Sequence, residues 1–233
     1  MYVSHLILDK SGEVVKKRLI IVGAGDLGIE LFFWIMSDLE RTYEPFGYLD
    51  DSLDSNDRLR RVGIPISVVG QPRSYTPSND EVFLCAIATP KTKIEVCKLL
   101  EEKGAAFINF IHPSVIVSAN VDFGLGVILF PNVVISNNAR IENFVTINIG
   151  TTIGHDVTIE EGCTISSHCD ITGHVTLEKG VFLGTHVATK PGVLIGEYSS
   201  IGMSSAVVAD VKPNHSVFGV PAKELITPAM QRR

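Results

Sequence analysis

The residues best suited to chemistry lie in "TTIGHDVTIEEGCTISSHCDITGHVTLEKG", Thr151 to Gly180, where His155 is followed directly by Asp156. An imidazole exchanges a proton near neutral pH, and a carboxylate holding one ring nitrogen fixes the tautomer of the other. Such a pair suits a general base acting on an attacking amine or hydroxyl. A solvated corner histidine is the plainer reading. Gly173 stands eighteen residues beyond His155, and Asn148 seven before it. A glycine N–H beside the base could hold an oxygen on which charge develops.

A second cluster is "GAGDLG", with Gly23, Gly25 and Gly28 at GxGxxG spacing after a strand and before a helix. Backbone N–H groups of such a turn can cradle phosphate. Asp50 or Asp51, some twenty residues on, fits an NAD-type ribose contact equally well. A tight βα turn without a ligand is the plainer alternative.

These groups have to be positioned by two kinds of architecture. Up to Phe110 the chain alternates strands and helices: "RLIIV", "IELFFWIMSDLERT", "FGYLDD", "VFLCAIAT", the amphipathic "KTKIEVCKLLEEKG" and a last strand "AAFINF". That pattern predicts an α/β, Rossmann-like domain over 18–110, preceded by a flexible leader over 1–17. "GQPRSYTPSND" reads as a surface loop.

From "HPSVIV" onward a period of six takes over. Every sixth residue from Val117 to Val207 is bulky and apolar, with the one exception of Thr189, and two places earlier sits something small or β-branched, such as Val157, Cys163 or Cys169. A short strand plus a corner repeated every six residues explains this, and three hexads close one coil. Residues eighteen apart then stack at roughly 4.8 Å. The expectation is a parallel β-helix over 111–215 with a C-terminal tail over 216–233. Cys163 and Cys169 take interior packing positions as free thiols.

The hexads, "NIGTTIGHD" and "VFGVPAKEL" resemble the hexapeptide-repeat acyltransferases. Together with "IIVGAGDLG" and "GYLDD" they resemble one branch, the bacterial nucleotide-amino-sugar N-acetyltransferases and sialic acid O-acetyltransferases. The resemblance spans Arg18 to Leu225. It implies a left-handed β-helix, a homotrimer with sites between subunits, and acetyl-CoA as donor. It implies His155 as general base oriented by Asp156, and Gly173 beside the thioester carbonyl; Thr185 is a further candidate acetyl-CoA contact, and Lys190 and Lys212 could meet CoA phosphates, with solvated lysines the plainer reading. Asn148, Gly23, Gly25, Gly28, Asp50 and Asp51 would bind a nucleotide-linked amino sugar. Where similar enzymes carry a second histidine, nine residues after the first, this chain has Thr164, and His168 is a candidate replacement. "AIATPK" also departs from the asparagine-containing loop common at that point.

His168 and His186 are eighteen apart, as are Asp156 and His174, so each pair stacks at one corner. His168 and His174 fall on different corners, and no metal is expected. A net charge of -6 argues against nucleic acid or an anionic membrane as partner. No apolar run has the length of a membrane span, and the unpaired cysteines suit a cytoplasmic protein. The expected activity is acetyl-CoA-dependent N-acetylation of a nucleotide-linked amino sugar for surface glycans. O-acetylation of a sialic acid-like sugar is the alternative, and a non-catalytic β-helix binding module the alternative of another class.

Overall fold

The computed structural model describes residues 16–38, 43–52 and 54–225. The expected leader, apart from Lys16 and Lys17, and the last eight residues of the tail lie outside them. The chain divides into two units. One comprises residues up to Ile87 together with Glu95–Ile108, the other Ala88–Ile94 together with everything from Asn109.

The first unit is a four-stranded parallel sheet in the order β3-β2-β1-β4. Strand β1 (Lys17–Val22) is central, and Leu19 to Val22 are fully buried, as a strand covered on both faces requires. It leads into α1 (Asp26–Ser37), which buries Leu31, Phe32 and Ile35. Strands β2 (Tyr43–Leu49) and β4 (Glu81–Cys85) flank β1. Helix α2 (Ser55–Arg61) and edge strand β3 (Val68–Gly70) were not foreseen. The helix is seven residues of mostly charged sequence with only Ser55 and Leu59 buried, and the strand is three residues long. Neither is long enough to show a period.

Helix α3 (Pro90–Glu102) forms where "KTKIEVCKLLEEKG" predicts it. The expected strand "AAFINF" does not extend the sheet. Phe107 makes an isolated bridge to Phe83, while Phe110–Ile111 pairs with Ile128–Leu129 in the second unit. Ile111 is six residues before Val117, so the hexad rhythm begins one step earlier than the apolar composition suggests.

The second unit is a left-handed β-helix of short strands in three sheets, parallel except where Val217–Phe218 meets Lys223–Glu224 at the C-terminal end. One face runs through Phe110, Ile128, Thr146, Thr164, Phe182 and Ser200; the second through Ile116, Val134, Thr152, Asp170, Ala188 and Ala206; the third through Asp122, Arg140, Thr158, Thr176 and Leu194. Partners are eighteen residues apart, as in Ile147↔Ile165 and Leu183↔Ile201. The periodic residues from Leu129 to Val207, with Val157, Cys163, Cys169 and their equivalents, form one continuous buried core. Thr189 interrupts the apolar ladder because its hydroxyl accepts the Thr172 N–H (3.1 Å), so its polarity is satisfied.

The corners explain three of the seven histidines. Each coil turns through residues of positive φ, a region costly for most side chains but accessible to Asn, Asp and His. Asn120, Asn138, Asp156 and His174 occupy one such corner at φ 56°, 59°, 58° and 62°, and His168 and His186 another at 57° and 61°. His155 is not among the positive-φ residues. Conformation therefore accounts for His168, His174 and His186, and leaves His155 to be explained otherwise.

Candidate active site

The corner between the second and third faces holds the closest grouping of reactive side chains. His155 follows the strand Thr152–Ile153, so its ring projects from the prism, with a side chain 53% exposed. Its Nδ1 lies 2.8 Å from Asp156 Oδ2. The other carboxylate oxygen, Oδ1, accepts from Asn138 Nδ2 at 3.1 Å. His174, one coil on, meets the His155 ring edge to face (centroids 4.8 Å apart, planes at 88°), with its Nδ1 3.9 Å from the same Oδ2. The hydrogen bonds from His155 and then Asn138 hold the Asp156 carboxyl below its ordinary range. The carboxylate stays charged wherever the imidazole can act.

Gly173 lies against the His155 ring from the next coil. A Cβ there would sit 2.6 Å from Nε2 and 2.7 Å from Cε1, so only glycine leaves the ring its place. Among the described residues no backbone acceptor takes the Gly173 N–H, whereas the neighbouring His174 N–H donates to the His155 carbonyl (2.9 Å). A base nitrogen and an N–H without a backbone acceptor thus belong to stacked positions of adjacent coils. Lys190, exposed, belongs to the same corner one coil beyond Thr172.

Asn148 and Thr185 are elsewhere. They belong to the corner between the first and second faces, with His168 and His186, whose rings stack at 5.2 Å and 13°. The second face separates them from His155 within one chain. The Asn148 Oδ1 is buried without a hydrogen-bond partner among the described residues. Thr164 lies on the first face, 2% exposed, and its Oγ1 accepts from Lys93 Nζ at 2.8 Å. Lys93 also donates to Thr146 Oγ1 and the Cys163 carbonyl, both at 3.1 Å, so this position is occupied by the first turns of α3. The preceding residues Ala88 to Lys91 line a cavity of about 870 Å³ with Phe182 and Tyr198, which places the unusual "AIATPK" loop on a concave wall.

In the first unit, Gly23 adopts φ +99°, and a Cβ on Gly28 would stand 2.0 Å from the Gly23 carbonyl oxygen. Both glycines are thus demanded by the turn. Gly25 faces open space, with Arg58 Nη1 nearest, 3.8 Å from where a Cβ would be. The α1 N-terminus has no side-chain cap. Asp50 is engaged internally: Oδ2 accepts the Ala24 N–H (2.7 Å), and Oδ1 accepts the Ser52 N–H and Ser55 hydroxyl (2.7 Å each). Burial pushes its carboxyl up, but these hydrogen bonds and the Arg58 charge outweigh it and the net shift is downward. Asp51 is exposed.

Sequence reasoning stacked His174 on Asp156 but missed Asn138 and Arg58. Asn138 was available from the same eighteen-residue rule applied in the other direction from Asp156. Arg58 was not, because α2 was not foreseen. Among the described residues, His155, Asp156 and His174 are also the one grouping of three or more His, Cys, Asp or Glu whose donor atoms all lie within 4.8 Å of one another. Cys163 and Cys169 are buried, and burial raises their thiols to about 12 and about 11, as inert packing groups. No helix among the described residues is long and apolar enough to cross a membrane.

No family model matches the chain. A 48-residue stretch is 44% identical to galactoside O-acetyltransferase of Escherichia coli (strain K12), covering 21% of this chain and about a quarter of that protein. Several solved structures match nearly the whole length. The acetyltransferase domain of PglB from Neisseria gonorrhoeae FA1090 superposes at TM-score 0.77 with 20% identity, over 90% of this chain and 100% of that one. PerB from Caulobacter crescentus, in complex with CoA and GDP-perosamine, gives 0.76 and 24% over 89% and 96%. WeeI from Acinetobacter baumannii AYE gives 0.78 and 23% over 89% and 99%. At such identities the likeness is one of fold: this chain has the architecture those three share, a parallel α/β domain joined to a left-handed hexapeptide-repeat β-helix.

Proposed function

We propose that this protein transfers an acetyl group from acetyl-CoA to the amine of a nucleotide-linked amino sugar. The observation that carries the reading is the His155 ring, tied at Nδ1 to a charged Asp156 and lying over the bare backbone of Gly173. The Nδ1 bond leaves Nε2 as the proton acceptor. As the amine attacks the thioester carbonyl, Nε2 takes the amine's proton, the C–N bond forms, and the C–S bond breaks. The thiolate of CoA leaves and is reprotonated. The Gly173 N–H faces the oxygen that gains charge before the C–S bond breaks.

Two similarities support the donor and acceptor classes. PerB has been seen with CoA and GDP-perosamine, and the PglB domain with acetyl coenzyme A. In the first unit, the uncapped α1 N-terminus and Arg58 suit a diphosphate. Asp50 shapes the glycine turn, and Asp51 is the carboxylate left to meet the ribose, base or sugar. Lys190 and Thr185 are assigned to acetyl-CoA and Asn148 to a substrate hydrogen bond. The reaction needs the acetyl-CoA pool, which places the enzyme in the cytoplasm, and its product would feed surface glycan synthesis.

Asn148 and Thr185 share no corner with His155 in one chain, so a complete site requires a second copy. A homotrimer that sets the His155 corner of one subunit against the Asn148 corner of the next supplies it. The test is complementation. His155→Ala and Asn148→Ala homotrimers should each be inactive in a CoA-thiol release assay, and mixed trimers should recover part of the wild-type rate. Wild-type turnover by His155→Ala would remove the base from the mechanism. O-acetylation remains the second reading, favoured by the short stretch shared with galactoside O-acetyltransferase. Parallel assays with an amino-sugar nucleotide and its hydroxyl analogue separate the two.

A further inference from the structure

We propose that Asn138 and His174 are positioning residues for the His155–Asp156 pair, an inference that rests on His155 being the base. Asn138, Asp156 and His174 hold the same corner in three successive coils, each at positive φ, so their side chains rise from the prism in a stack. Asp156 is 39% exposed, and nothing in an exposed corner carboxylate's own rotamers keeps one oxygen aimed at a neighbour. Asn138 supplies that constraint from below. Its amide nitrogen donates to Oδ1 at 3.1 Å, and its own carbonyl oxygen accepts from Asn120 Nδ2 at 3.4 Å, which sets which end of the amide faces upward. With Oδ1 held, Oδ2 faces His155 Nδ1.

His174 closes the pair from above. Its ring stands edge-on to the His155 ring, and its Nδ1 approaches the same Oδ2, so it limits both the swing of the imidazole and the rotation of the carboxylate. The next position in the stack is Gly192, with open space around it, so the constraint ends at His174. A bare His-Asp dipeptide at a corner would leave the imidazole free to exchange tautomers and rotamers. The stack selects one.

Replacements must respect the left-handed corner: Asn138→Gly removes the amide while keeping positive φ accessible, and His174→Asn removes the ring with a residue that tolerates the same conformation. In each variant kcat should fall roughly tenfold with KM for acetyl-CoA unchanged, as expected for loss of orientation rather than of binding. In ¹⁵N spectra of ring-labelled protein, His155 should move from one dominant tautomer, protonated at Nδ1, toward a mixture. Asn120→Gly, one coil further, should give a smaller change in the same direction. Unchanged kcat and an unchanged tautomer in either variant would overturn that residue's role, and a variant that lowers thermal stability while leaving both readouts alone would be structural only. The tautomer measurement uses the trimer without substrate, so it decides the positioning even if the acceptor proves not to be an amine.

Discussion

A Cβ on Gly173 would stand 2.6 Å from His155 Nε2, so the place of the imidazole is defined by the absence of a side chain one coil away. Gly173 has no positive φ, so alanine there carries no backbone penalty and acts through contact alone. Gly173→Ala should leave the β-helix folded, with a melting temperature near wild type, yet displace the ring and lower kcat by about 10²-fold. Steady-state kinetics beside a thermal melt check this. A variant with normal kcat would mean that the ring does not occupy this place during turnover.

The interior ladder makes a prediction about stability. Leu183, fully buried, is stacked between Ile165 and Ile201. Leu183→Ala opens a void in an apolar stretch of the ladder and should cost about 2–5 kcal/mol. Chemical denaturation followed by circular dichroism measures it. Replacement of the exposed Met203 by alanine, at a position outside the ladder, serves as the comparison and should cost far less.

Asp50 ties the glycine turn to the start of α2, and its carboxyl titrates below the ordinary range. For a carboxylate lowered on folding, the stabilisation is fully present above the unfolded-state value and disappears as pH falls through the folded value. Asp50→Asn should therefore be less stable than wild type at neutral pH. The gap should narrow only below about pH 4, where unfolded-state carboxylates begin to protonate. Melting temperatures measured from pH 7 down to pH 3 test the sign, and a gap that widened with acid would contradict it.

His155, Asp156 and His174 bring three donor groups together, and a divalent cation is the obvious competitor for them. Both Asp156 oxygens already hold hydrogen bonds, one from His155 and one from Asn138. Acetyl transfer should accordingly survive prolonged treatment with EDTA at full rate, and excess Zn²⁺ should inhibit by taking the imidazoles. Loss of activity on chelation, restored by one metal, would assign the corner a different chemistry.

The β-helix was legible because its signal is redundant. Bulky residues recur every sixth place from Val117 to Val207, and a pattern repeated that often outweighs any single exception such as Thr189. Short elements were not legible. The seven residues of α2 and three of β3 carry too little periodicity, and the place of β3 is set by its pairing with β2 and by hydrogen bonds such as Val68 N–H to Asn56 Oδ1. At the boundary, "AAFINF" has a strand's composition, but Phe110 and Ile111 pair with residues eighteen further on, a choice made by register rather than propensity.

The sequence by itself determined which residues face inward, which lie eighteen apart and therefore stack, and that His155 and Asp156 sit at a corner. Those follow from counting, since a coil of fixed length converts spacing along the chain into neighbourhood in space. Only the tertiary structure decided how the stacked side chains meet: that Asn138 holds Asp156, that His174 leans on His155, that Asp50 is turned inward to the glycine loop, and that Thr164 is covered by Lys93. Such contacts depend on rotamers and on which element covers which face, and neither is written in a six-residue rhythm.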